Sequence, residues 1–197
     1  MNATILVVRH ADVHNPRSII YGRLPRYRLS TLGQQQAAWV ASLLSREPIT
    51  AIYTSPQLRA RQTAAHIAYH HEGVPVNVSG LLAEVRTAWQ GTPSAVAGSD
   101  PYFYASPKAP SDETIAQIGL RIRCFAERAL RHHPGETVVA VSHGDPIVIW
   151  RLLAVGRDLT IANMREAPYP ANASVMRLEY SSADGVPKVE YVDSCIA

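Results

Sequence analysis

The chain has 197 residues, 47% of them apolar, and a formal charge of +3. That length suits a single domain, 1–197, with a sizeable core, and no run approaches the ~18 uninterrupted apolar residues of a membrane span, so no membrane partner is expected. The two cysteines, Cys124 and Cys195, are too few for a disulfide framework, which leaves the cytoplasm as the default location.

In chain order, residues 3–8 form an apolar, β-branched run that stops abruptly at Arg9-His10. Such a run reads as a buried parallel strand. The start lacks a basic stretch followed by a long apolar core, and His10 comes so early that a cleaved leader would remove it. Five arginines (9, 17, 23, 26 and 28) stand against one acid, Asp12, in the first 28 residues. That local excess points to an anionic ligand, whereas nucleic acid would want a longer basic face interleaved with aromatics. Nucleic acid is therefore not an expected partner.

Thr31-Leu32-Gly33-Gln34 resembles a capping box opening a helix to about Ser45. A second strand, 50–54, runs into Ser55-Pro56, where Ser55 is expected to cap a helix over 57–71 that carries Arg59 in its first turn. Residues 75–78 read as a third strand. Residues 85–111, with four prolines and no period, read as an excursion over the site. Ile115, Ile118, Ile122, Phe125, Ala126 and Ala129 are spaced as one helical face. The strand 137–142 ends in Ser142-His143-Gly144-Asp145-Pro146, with Asp145 as expected N-cap and Pro146 as first helical residue. Residues 173–180 and 187–192 read as a closing hairpin-like pair. Strands alternating with helices predict an α/β fold, a three-layer α/β/α sandwich around a mainly parallel mixed sheet.

Ligands of open α/β sheets lie beyond the carboxyl ends of the strands. Here three strands end in His10, His143 and an arginine-bearing helix start, a set of cations suited to a phosphoryl group. The adjacent histidine pairs (His70-His71, His132-His133) point to different sides of a helix and suggest no shared metal site, so neither metal nor cofactor is expected.

These motifs resemble the histidine phosphatase superfamily, which also contains the cofactor-dependent phosphoglycerate mutases. The Arg-His-Gly motif is met by Arg9-His10-Ala11, with alanine for glycine. Ser-Pro-x-x-Arg-Ala-x-Gln-Thr-Ala is met from Ser55 to Ala64, and Ser-His-Gly by Ser142 to Gly144. Leu82-Ala83-Glu84 and Trp89-Gln90-Gly91 are looser matches, and Asn172-Ala173-Ser174 a faint one.

The resemblance implies a phosphatase-branch, phosphoglycerate mutase-like fold and a metal-independent phosphomonoesterase acting on a small phosphorylated substrate. It implies His10 as nucleophile, Arg9 and Arg59 as phosphoryl clamps, and His143 as a hydrogen-bond donor to the same oxygens. Glu84 is the implied general acid. Asn15 and Arg23 are placed at the substrate, in a stretch that departs from the family's usual spacing. A mutase, or a weakly catalytic phosphate-binding module, are the competing functions; mutases usually carry longer insertions than 85–111. A homodimer is left open. Ala11 is harmless unless its backbone needs a positive φ.

Overall fold

The computed structural model describes residues 2–97, 107, 109–181 and 185–193. Tyr102, Phe103 and Tyr104, within the expected excursion 85–111, lie outside the described residues, as does Cys195.

Six strands form one sheet: β1 (Ala3–Arg9), β2 (Ile49–Thr54), β3 (Val76–Val78), β4 (Thr137–Ser142), β5 (Val175–Tyr180) and β6 (Lys188–Val192). Their spatial order is β3-β2-β4-β1-β5-β6. The first four run parallel, and β5 and β6 close the sheet as antiparallel strands.

Alternation along the strands builds the two outer layers. On β1, Ile5 and Val7 face a core formed with α3 (Ile115–His132) and α4 (Gly144–Ala154). Leu6 and Val8 face the other core, with α1 (Thr31–Leu44) and α2 (Leu58–Tyr69). Both faces of β4 are buried in the same way, Val138 and Ala140 on one side, Val139 and Val141 on the other. A short helix, α5 (Ile161–Glu166), follows α4. The architecture is the three-layer α/β/α sandwich with a mainly parallel mixed sheet that the sequence predicts.

Helix caps are displaced from the sequence expectation by one or two residues. Ser30, not Thr31, caps α1: its hydroxyl accepts the Gly33 N–H and also meets the Asp12 carboxylate. Gly33 lets the helix approach the chain after His10, since a Cβ there would stand 2.0 Å from the Asp12 carbonyl oxygen. The N-cap of α2 is Gln57, and Ser55 and Pro56 precede it. His143 is the N-cap of α4, so Gly144 and Asp145 are its first two residues. After β4 the chain enters its helix more tightly than propensity alone suggests, whereas after β2 the cap comes two residues later than Ser55. No helix among the described residues is long and apolar enough to cross a membrane.

β1 and β4 are neighbours, yet the helix after β1 packs on one face of the sheet and the helix after β4 on the other. The chain diverges between their carboxyl ends, which is where an open α/β sheet offers a crevice for a ligand.

Candidate active site

Register brings the chemistry together. Arg9 pairs with Ser142 across β1 and β4, and Thr54 pairs with Val141 across β2 and β4. Beyond those pairs the His10 N–H donates to the Ser142 carbonyl and the Ser55 N–H to the Val141 carbonyl. His10, His143 and Ser55 therefore leave three adjacent strands at one level.

His10 is 1% exposed. Its Nδ1 lies 2.8 Å from the Ala11 carbonyl oxygen, which can only accept, so Nδ1 carries the proton and Nε2 presents its lone pair. Burial first, then the charges of Arg59 and Arg9, hold the His10 pKa well below its ordinary value. The imidazole is neutral at physiological pH, as a nucleophile must be. Ala11 is buried and is absent from the described non-glycine residues with positive φ, which are Ser18, Arg26 and Ala173. The alanine that replaces the family glycine sits on unstrained backbone.

Arg59, the second residue of α2, is fully buried. Its Nε donates to His10 Nε2 at 3.2 Å, and its Nη2 donates to the Gly22 carbonyl at 2.8 Å and to His143 Nδ1 at 3.1 Å. Nη2 also lies 3.5 Å from Glu84 Oε2. Tyr21 covers the guanidinium, 4.6 Å from carbon to ring centroid. Nη1 is buried without a hydrogen-bond partner among the described residues. Arg9 repeats the pattern: Nη1 donates to the Pro170 carbonyl at 2.6 Å, while buried Nε has no partner. A buried guanidinium edge left unpaired costs free energy, and two such edges beside one imidazole mark the place of an anion.

His143 is also fully buried, and burial with the nearby Arg59 charge keeps it neutral. Because arginine only donates, His143 Nδ1 is an acceptor, and its Nε2–H must go to the Ser55 hydroxyl at 2.6 Å. Ser55 in turn reaches Gln57 Oε1. In this structure His143 therefore spends both ring nitrogens on protein and fixes Arg59, where the sequence expectation has it donating to the phosphoryl oxygens. Ser55 was expected to cap a helix; the structure makes it the support of His143.

Glu84 follows a single turn of 3₁₀ helix (Gly80–Leu82). Its Oε1 accepts the Val85 N–H at 2.9 Å, and its Oε2 lies 3.5 Å from both Arg59 Nη2 and His143 Nδ1. His10, Glu84 and His143 each offer an atom within 4.8 Å of the others, a spacing that could suit a metal ion. Arg59 donates to both histidines, however, so a cation there would meet a guanidinium at short range. The charge of this site suits an anion.

Two expected residues lie apart from this cluster. The Asn15 amide bonds both backbone groups of Ile19, its nitrogen donating to the carbonyl and its oxygen accepting the N–H. The Arg23 guanidinium is held by Glu113 at 2.7 Å and by the Glu84 carbonyl at 2.7 Å. Arg121 joins the same knot through Glu113 and the Leu81 carbonyl. Arg23 thus braces the backbone of Glu84, and Asn15 shapes its own loop. Arg17, Arg26 and Arg28 are exposed along that loop. Of the residues that sequence reasoning missed, Ser55 and Gln57 lie inside a quoted motif, and Asp145 follows another at once. Tyr169 carries no signal in the sequence.

A profile of the histidine phosphatase superfamily (branch 1) matches residues 5–192. The chain belongs to this superfamily. A protein of Mycobacterium tuberculosis with no assigned function is 38% identical over 160 residues, covering 78% of this chain and 79% of that one. Phosphoserine phosphatase 1 of Hydrogenobacter thermophilus is 28% identical over 165 residues, covering 79% and 78%. Among solved structures, mycobacterial glucosyl-3-phosphoglycerate phosphatase superposes with a TM-score of 0.82 at 22% identity, covering 98% of this chain and all of that one. That last likeness shows a shared fold.

Proposed function

We propose that this superfamily member is a metal-independent phosphomonoesterase acting on a small phosphorylated metabolite through a phosphohistidine at His10. The observation that carries this is the pairing of an oriented, neutral His10 Nε2 with two unpartnered guanidinium edges, Arg59 Nη1 and Arg9 Nε. The phosphatase among its curated relatives supports the same activity.

In the first step the Arg59 Nε–H turns from His10 Nε2 to a phosphoryl oxygen, the freed Nε2 attacks phosphorus, the P–O bond to the leaving group breaks, and Glu84 gives its proton to the departing oxygen. His10 becomes a phosphoimidazolium whose Nδ1–H stays on the Ala11 carbonyl. Arg9 and Arg59 balance the charge spreading over the phosphoryl oxygens. In the second step the Glu84 carboxylate takes a proton from water, the resulting hydroxide attacks phosphorus, and the P–N bond breaks to restore neutral His10. The positive charge of two arginines stands where other phosphatases place metal ions.

The test is alkaline quench of the wild type and His10→Ala during turnover of a panel of phosphorylated metabolites, in chelator. A base-stable phosphoenzyme should appear only in the wild type, and His10→Ala should lose all measurable turnover. Substantial activity in His10→Ala, or a loss in chelator restored by a divalent ion, would refute the assignment.

A further inference from the structure

Asp145 takes no part in the two steps above, yet it stands beside them, two residues past His143 at the start of α4. Its Oδ1 is buried with no hydrogen-bond partner among the described residues. The carboxyl group accepts a hydrogen bond from the Tyr169 hydroxyl. The Tyr169 ring in turn packs on the Arg9 guanidinium, whose carbon lies 5.1 Å from the ring centroid. Tyr169 comes this near because residue 144 is glycine: a Cβ there would stand 2.1 Å from the Tyr169 hydroxyl oxygen. The next residue, Pro170, gives its carbonyl to Arg9 Nη1. The turn at 169–170 therefore grips Arg9 from two sides and is itself anchored on Asp145.

An ionised carboxylate is a poor neighbour for a group that must receive a phosphate dianion, because like charges at short range repel. The surroundings of Asp145 suppress that charge. Burial is the main cause, and Glu84 adds to it in its ionised form, the state it reaches once it has given up its proton, against the opposing pull of the Tyr169 hydrogen bond and Arg9; together they raise its pKa to about 8. Among the described residues, those three are the titratable and charged groups that act on it. Tyr169 is 45% exposed as a residue, but its hydroxyl is turned inward, and that burial first and then Asp145 push it well above its ordinary value, so it remains a donor throughout.

We propose that Asp145 is a positioning residue for the phosphoryl group, acting through Tyr169 on the Arg9 guanidinium and through space on Glu84. Its effect on turnover rests on the phosphatase assignment; its effect on folding does not. With its proton on, Asp145 anchors the Tyr169 turn without opposing the anion. Once ionised, it sets a negative charge beside the site.

The sign on stability follows. The folded carboxyl keeps its proton up to about pH 8, whereas an unfolded aspartate releases it near pH ~3.9. Between those values folding must take up a proton, so Asp145 contributes full stability at the acid end and loses it as pH rises toward 8. Asp145→Asn keeps the shape and removes the charge.

Two measurements on the whole protein test this. In thermal melts, Asp145→Asn should match the wild type near pH 4 and gain in melting temperature relative to it as pH rises to about 8. In the burst of phosphoenzyme formation with an activated aryl phosphate, which needs little protonation to leave, the wild type should fall roughly tenfold per pH unit above about pH 8. Asp145→Asn should carry its rate at least a unit further, after losing less than about tenfold at neutral pH, the scale of one modest hydrogen bond. Tyr169→Phe removes the contact that favours the ionised form, so its alkaline limb should move up.

Either arm missing overturns the proposal. So does a folded Asp145→Asn that is inactive at neutral pH, which would make Asp145 a proton donor instead. A wild type with no burst at any pH fails the phosphatase assignment itself. Calorimetric binding of inorganic phosphate by the wild type and Asp145→Asn across the same pH range then decides Asp145 alone: an alkaline loss of affinity absent from the variant supports it, and equal profiles overturn it.

Discussion

In the phosphoryl cradle, His10, Ser55 and His143 follow directly on β1, β2 and β4, whereas the wall beside it is two loops zipped together. The wall holds by a few backbone hydrogen bonds, Ile20 to Thr92, Gly91 to Ile20 and Ser94 to Ser18, and by one bridge between Ile19 and Pro93. Ser18 and Arg26 adopt left-handed backbone there, at φ 45° and 67°, a conformation that costs a non-glycine residue free energy. The cradle inherits its geometry from a ladder of paired strands and a buried core. The wall must hold its own shape, and loops of this kind vary and move more readily than the elements they join. On the proposed function, reaction type belongs to the sheet and choice of leaving group to the loops.

That contrast can be broken most sharply at Glu84, where the two regions meet. Glu84→Gln can still accept the Val85 N–H but has no proton to give. Phosphoenzyme bursts with poorly departing sugar alcohols should fall by about 10²–10⁴-fold, the usual worth of general acid catalysis, while an activated aryl ester should lose far less. Equal losses across leaving groups would remove Glu84 from the acid's role. Asp12, whose carboxylate is engaged with the Ser30 hydroxyl, would not replace it; Asp145 is the carboxyl group at hand.

A smaller effect belongs to Ser55→Ala. It strips the buried His143 Nε2–H of its acceptor, which should cost roughly 1–3 kcal/mol of stability and loosen Arg59 through His143 Nδ1. Denaturant melts and single-turnover rates should fall together; a loss of stability with no change in rate would show that His143 does not hold Arg59. The smallest effect is expected at Asn15→Ala. Both amide contacts lie inside its own loop, so the burst should change by less than a factor of about three while KM values shift among leaving groups. A collapse of the burst would place Asn15 in the cradle after all.

The cradle was legible in the sequence because its residues sit at fixed offsets from strand ends. An apolar β-branched run that stops at Arg9-His10 or at Ser142-His143 announces both the strand and what stands at its tip. Asn15 and Arg23 were harder, since a side chain on an irregular loop can turn to its own backbone or to a distant acid with no trace in spacing. Glu113 braces Arg23, Arg121 and, through the Arg86 N–H, the chain after Glu84, yet the sequence marks it only by a faint family echo, Ser111-Asp112-Glu113-Thr114, that says nothing of what it braces. The partners of His143 leave no trace in spacing either: periodicity tells which residues are buried, not which of two neighbours a buried imidazole will choose. Asp-Pro favours a helix start and points to Asp145 as the cap; the structure puts the cap at His143.

The order of the sheet has a consequence for how this protein comes into being. β1 and β2 never touch as paired strands; each is joined to β4, which lies between them and arrives more than eighty residues after β2. Until β4 is in place, both inner edges offer unpaired N–H and C=O groups, the kind of edge that recruits other chains. The same late strand carries His143 behind it. Filling the gap therefore closes the edges and completes the phosphate site in one event, so an anion that binds there stabilises only chains whose sheet is whole. For a protein of this topology, the phosphorylated molecules around it would act as a quality check on its own assembly.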